Sequence, residues 1–266
     1  MGSMRTDSGL TTHVWAALIP LIAGSFLLGS WWRLLPAGIL VAIVVVAWRS
    51  HDEEATWLAA LGLIIVGIGG SVVPSVWVAA AVAGSALLAR PALRSRQDWL
   101  RFGTLSPAVA SAMVVTVTVA GIALAVWAES HPRLSPSEGT TVRVGEATPL
   151  DQVIDQAQRI PWWLFLIAAV VFAVLNALAE EFVYRGIVLQ ALLPAGSGAA
   201  IVLGAIAFGS IHLGGIPSGW WGVAMASAYG GALGWLRIRS HGLAAPVIVH
   251  IAADVVIAHL VRYTWP

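Results

Sequence analysis

Cysteine and lysine are both missing from this chain of 266 residues, and charge of either sign is scarce, at 10% of positions. Without cysteine there can be no thiol nucleophile, thiolate metal site or disulfide. The scarcity of charge excludes more. A soluble globular domain carries about 25% charged residues, so this chain cannot cover a water-facing surface. A net charge of +1 also leaves no electrostatic footprint for nucleic acid. With 59% hydrophobic residues the chain is equally far from the composition of disorder.

What it has instead is long apolar runs. About 20 mostly apolar residues make one bilayer-spanning helix. The expectation is therefore an all-α fold, a polytopic transmembrane helix bundle of about eight or nine spans in a cell membrane. The runs fall at 13–30, 34–48, 58–73, 75–89, 106–128, 162–192, 197–213, 220–237 and 243–262. Tryptophans such as Trp48, Trp127, Trp162, Trp163, Trp220 and Trp221 cluster at their ends, as indoles do at headgroup level. Arginines concentrate between Arg90 and Arg101, which favours a cytoplasmic N-terminus and a cytoplasmic 90–103 loop. Three regions follow: N-terminal membrane helices over 1–128, a polar extramembrane loop over 129–161, and a helical core over 162–262. Within the loop, Thr148 and Pro149 read as the start of a short amphipathic surface helix.

Ten of the thirteen acids sit in polar stretches, whereas Glu180, Glu181 and Asp254 lie inside apolar ones. A charged side chain at the bilayer centre costs roughly 2.5–3.5 kcal/mol on insertion scales, so these three need a reason. Arg185, four residues after Glu181, shares its helix face and can neutralise it. Glu180 is rotated about 100° away, on a face with Asn176 and Tyr184, and has no cationic partner nearby in sequence. An unpaired carboxylate in a membrane helix is by default a functional group. His212 ends the next helix, on a face with Ala200, Gly204 and Phe208. His250 and Asp254 stand four apart on the last helix, either as an imidazole and its orienting carboxylate or as two ligands of one metal. His259 falls on the opposite face or at the helix end. Between them, Gly222, Ala226, Gly230 and Gly234 form a small-residue stripe suited to close helix packing.

Three segments together carry a resemblance. Glu180-Glu181-Phe182-Val183-Tyr184-Arg185 resembles the EExxxR signature of the CPBP intramembrane proteases, also called the Abi or CAAX-protease-like family. Phe208-Gly209-Ser210-Ile211-His212 is similar to the FxxxH motif, and His250-Ile251-Ala252-Ala253-Asp254 to the HxxxN/D motif. The order agrees, over roughly residues 160–262. The family includes eukaryotic CAAX prenyl endopeptidases and bacterial members linked to peptide maturation and bacteriocin self-immunity. The resemblance implies that Glu180 activates a water with the help of His212. His250 and the residue at 254 would support the oxyanion, with Glu181, Arg185 and Phe208 in supporting places. Eukaryotic members carry Asn where this chain has Asp254. An ionised carboxylate would repel an oxyanion, so Asp254 must be protonated, orient His250 or bind a metal.

The preferred expectation needs no cofactor, with zinc held by Glu180, His212, His250 and Asp254 as the alternative. The expected partners are the lipid bilayer and a membrane-associated peptide or protein tail. Arginine in place of lysine, with abundant alanine and glycine, suggests a bacterial genome and hence a bacterial cytoplasmic membrane. Two other functions use the same residues: an ion-coupled transporter with a proton relay, and a non-catalytic immunity or scaffold protein.

Overall fold

In the computed structural model, residues 34–49, 56, 60, 101–130, 159–213, 216–217 and 219–263 are described. The expected helices at 13–30, 58–73 and 75–89 lie outside the described residues, apart from the single helical position Ala60. So do the arginines from Arg90 to Arg96 and nearly all of the 129–161 loop, including its surface helix. The described elements are helical throughout. They are α1 (Leu34–Arg49), α2 (Pro107–Ser130), α3 (Trp162–Glu181), α4 (Ser197–Ser210), α5 (Gly219–Ser240) and α6 (Ala244–Tyr263).

Three of these are long and apolar enough to cross a membrane: Pro107–Ser130, Trp162–Val188 and Ala244–Tyr263. Their exteriors and interiors are reversed relative to a soluble protein. Val114, Val119, Ile122 and Val126 of α2 and Ile167, Val171 and Leu175 of α3 are exposed, while Asn176, Glu180, Glu181, Arg185, His250 and Asp254 are buried. Only a hydrocarbon solvent makes that arrangement favourable. This is a multi-pass membrane protein. Trp162, Trp163, Trp220 and Trp221 are all more than half exposed, and they mark one interface at the starts of α3 and α5. The last turn of α5 carries Arg237 and Arg239 at the other end.

α3 does not stop at Glu181. It runs on through a π-helical turn, Phe182–Val188, whose every residue from Val183 onward is buried. The amide of Leu189 bonds five residues back, to the Tyr184 carbonyl. A last α-turn (Leu189–Leu192) and a tight 3₁₀ turn (Leu193–Ala195) lead into α4. Such π-turns widen a helix locally and frequently lie at functional sites.

α4 packs closely against α5 because small residues face each other. The stripe expected from the sequence is real: Gly222, Ala226, Gly230 and Gly234 are all buried. Gly209 of α4 answers them. A Cβ there would overlap Ser227 Oγ and come within 2.7 Å of the Val223 carbonyl oxygen. On the other side, α2 shares one apolar cluster with α5 and α6, built on Val109, Leu233, Leu236, Ala245 and Val249. A second joins Trp127 and Ala128 to Val261.

The α5–α6 turn is held from outside. α6 begins after Gly242-Leu243, which offer no side chain to cap the orphan amides of a helix start. The amides of Leu243 and Ala244 donate instead to the carbonyls of Arg101 and Phe102, at 2.7 and 3.0 Å. In the same place the Thr104 amide donates to the Ser240 carbonyl at the end of α5, at 2.8 Å. Gly103 has φ of +88°, and Gly242 lies so close to the 102–103 backbone that neither position has room for a Cβ.

Two of the three glycines of α4, Gly204 and Gly209, should therefore respond oppositely to alanine. Gly209→Ala should cost about 1–3 kcal/mol, as overpacking does. Gly204→Ala, whose Cβ would meet only Leu189 Cδ1 at 3.9 Å, should be neutral or slightly stabilising. Thermal unfolding of the purified protein in detergent measures both.

Candidate active site

Glu181 is wholly buried, and an ionised carboxylate in such a place needs a counter-charge and hydrogen-bond donors. Two donors reach it. Arg185 Nη1 donates to its Oε1 at 2.8 Å, the pairing that the four-residue spacing predicts. His250 Nδ1 donates to the same oxygen at 2.6 Å, reaching across from α6. The Arg185 guanidinium is also fixed by donation from Nη2 to the Gly230 carbonyl at 3.2 Å. Its flat face lies over the Phe208 ring, 4.4 Å from the centroid. Gly230 belongs to the small-residue stripe, and a Cβ there would come within 2.9 Å of Phe208 Cδ1 and 3.3 Å of Arg185 Nη2. The missing side chain is what lets the guanidinium reach the backbone.

With Nδ1 committed to Glu181, His250 turns Nε2 towards the other two acids. Glu180 Oε2 lies 3.6 Å from it and Asp254 Oδ1 3.7 Å. Both distances exceed a direct hydrogen bond. The second oxygen of Asp254 is held elsewhere, by Asn176 Nδ2 at 3.2 Å. The sequence offered Asp254 as the carboxylate that orients His250. The orienting carboxylate is Glu181 instead, because α3 and α6 lie side by side and a partner on the facing helix reaches Nδ1.

Phe208 ties His212 to this group. Its ring lies edge-on to Tyr184 (centroids 5.3 Å apart) and to His250 (5.8 Å), and tilted against His212 (5.0 Å). His212 stands in the 3₁₀ turn Ile211–Leu213 that ends α4. Its Nδ1 lies 3.2 Å from the Phe208 carbonyl. A carbonyl can only accept, so Nδ1 donates and the neutral ring keeps its lone pair on Nε2. The ring is half-buried, unlike the other members.

The structure thus brings Glu180, Glu181, Arg185, His250 and Asp254 into one connected cluster, with Phe208 and His212 against it. Two further groups were not singled out from the sequence. Tyr229 sets its ring edge-on to His250 at 6.0 Å and donates its hydroxyl to the Val249 carbonyl at 3.0 Å. Asn176 was visible only as a neighbour of Glu180 on the helix face. His259 lies on the exposed side of α6, stacked near Tyr263.

Among the described residues, no group of three or more histidines and acids is disposed to hold a metal ion.

Removing one partner from a buried ion pair leaves the other uncompensated. Arg185→Met should therefore destabilise the protein by about 3–5 kcal/mol. Adding Glu181→Gln should recover part of that loss. A double-mutant cycle on thermal unfolding in detergent measures the coupling.

No curated protein and no solved structure matches the chain. Residues 161–256 match the family model described as type II CAAX prenyl endopeptidase, Rce1-like. That segment contains all three short motifs and every member of the cluster around Glu181. Over residues 161–256, then, the chain is similar to the type II CAAX prenyl endopeptidases, the resemblance that the three short motifs carry.

Proposed function

We propose that this protein is an intramembrane endopeptidase whose water is activated by Glu180 and His212. The observation that carries the reading is the division of labour between two adjacent carboxylates. Glu181 is neutralised by Arg185, and its Oε1 also accepts from His250. Glu180, also buried, has the far nitrogen of His250, at 3.6 Å, as its ionic contact among the described residues. A carboxylate kept out of water but not consumed by an ion pair is what a general base requires.

In the proposed reaction a water held between Glu180 and His212 gives a proton to the Glu180 carboxylate as its oxygen attacks the peptide carbonyl carbon. The electron pair of the C=O bond moves to oxygen. His250 donates from Nε2 to that oxyanion, its Nδ1 anchored by Glu181. Collapse of the intermediate breaks the C–N bond, and the proton taken by Glu180 passes to the leaving amine, with His212 Nε2 as the relay. Asp254 is a counter-charge to His250 and is held by Asn176. The reaction as written needs no metal.

The depth of the site supports a membrane-associated peptide or protein tail as substrate. Glu180 is about 27 Å along α3 from Trp162, and His250 only about 9 Å from the start of α6, at 1.5 Å per residue. On α5 the cluster's contact, Gly230, lies about 16 Å from either end of the helix, and the reading is of a site within the membrane. The reading includes a bundle of eight or nine spans in a bacterial cytoplasmic membrane.

The test compares membranes containing wild type, Glu180→Gln and His212→Ala by profiling peptide termini, with a chelator arm on wild type. Glu180→Gln should lower a specific terminus by at least about a hundredfold, the low end for losing a general base. His212→Ala should lower the same terminus, and chelation should leave it unchanged. If chelation abolished it reversibly, the metal-free mechanism would be wrong. If no terminus depended on Glu180, the protease reading would fail.

A further inference from the structure

The seam between α3 and α6 shows why an amide lies one turn from Glu180. The helices run in opposite directions, and two contacts fix their register: Glu180 meets His250, and one turn away Asn176 meets Asp254. Asn176 is the one amide in this seam, and it is 95% buried.

Its effect on Asp254 can be read from the two carboxylate oxygens. Oδ2 accepts from Asn176 at 3.2 Å, and Oδ1 stays 3.7 Å from His250 Nε2. Asp254 lies four residues from His250 on one helix, where a direct carboxylate–imidazole bond is easily made. A direct bond would occupy Nε2, the nitrogen that faces Glu180. The Asn176 amide sits on the other helix, so its pull on Asp254 runs across the seam and away from His250.

We propose that Asn176 is a positioning residue that tethers Asp254 and so keeps Nε2 of His250 open to Glu180 and to substrate. The functional consequence rests on the protease reading above, but the tether itself does not. Without the amide, the Asp254 carboxylate turns and bonds Nε2 directly. The site is then blocked by its own counter-charge. A mere packing role for Asn176 predicts something else. Damage from its loss would persist, or deepen, when Asp254 was changed as well.

The test uses the full chain, labelled with ¹⁵N-histidine in lipid nanodiscs, with the His250 signals assigned by their loss in His250→Gln. Asn176→Leu should shift the His250 Nε2 resonance, and adding Asp254→Asn should return it towards the wild-type position. Asn176→Ser, whose hydroxyl is too short to span the gap, should give the same shift if Asn176→Leu does not accumulate. In membranes, the rate of the Glu180-dependent cleavage should fall roughly three- to twentyfold in Asn176→Leu, the range carried by interhelical hydrogen bonds in membranes.

An unmoved Nε2 resonance in the single variants would overturn the tether. So would a shift that Asp254→Asn failed to reverse. If wild-type membranes showed no Glu180-dependent cleavage, the protease reading alone would fall, and the resonance would still decide the tether.

Discussion

An ionised carboxylate with no exposed surface stands or falls by the donors brought to it, and Glu181 is the point from which this site is built. Two donors meet on one of its oxygens, Arg185 from its own helix and His250 from the facing one. The first contact follows from helix geometry alone. The second exists only if α3 and α6 adopt one depth relative to each other, so the ion cluster and the packing of the membrane helices specify the same arrangement. Neutralising Glu181 leaves Glu180 unclaimed, and anchoring Nδ1 of His250 decides which nitrogen faces it.

Packing carries the rest. Phe208 is almost wholly buried and touches Tyr184, Arg185, His212 and His250 with a single ring. It gives the guanidinium an aromatic face, which attracts a cation without adding a competing charge. It also connects α4 to a cluster whose ionic contacts lie on α3 and α6. The small residues of α5 make this possible from behind. At Gly230 the backbone approaches closely enough to accept a hydrogen bond from Arg185, which a larger residue would prevent.

Much of this could be read in the residues themselves. Charge scarcity announces a hydrocarbon environment, and four-residue spacing pairs Glu181 with Arg185 and leaves Glu180 apart. The glycine–alanine stripe of α5 foretells a close helix neighbour. What could not be read was anything set by the relative depth of two helices. The bond from His250 to Glu181 joins residues 69 positions apart, and no periodicity within either helix fixes it. Hence Asp254, the acid nearest in sequence, was the orienting carboxylate the pattern offered. The π-turn after Glu181 was equally invisible. An extra residue in a helical turn leaves the hydrophobic pattern almost unchanged, yet it turns a run of six consecutive residues inward.

The short segment 101–104 has a bearing on where this fold can be cut. It supplies the carbonyls that cap the start of α6 and the amide that caps the end of α5, using main-chain atoms throughout. Main-chain contacts survive substitution, so this stretch can drift in sequence without losing its hold, provided Gly103 and Gly242 remain. A family pattern built from side chains will not register it. The smallest piece of this chain able to keep its own helix ends satisfied therefore begins some sixty residues before the segment that the family pattern recognises, and α2 comes with it.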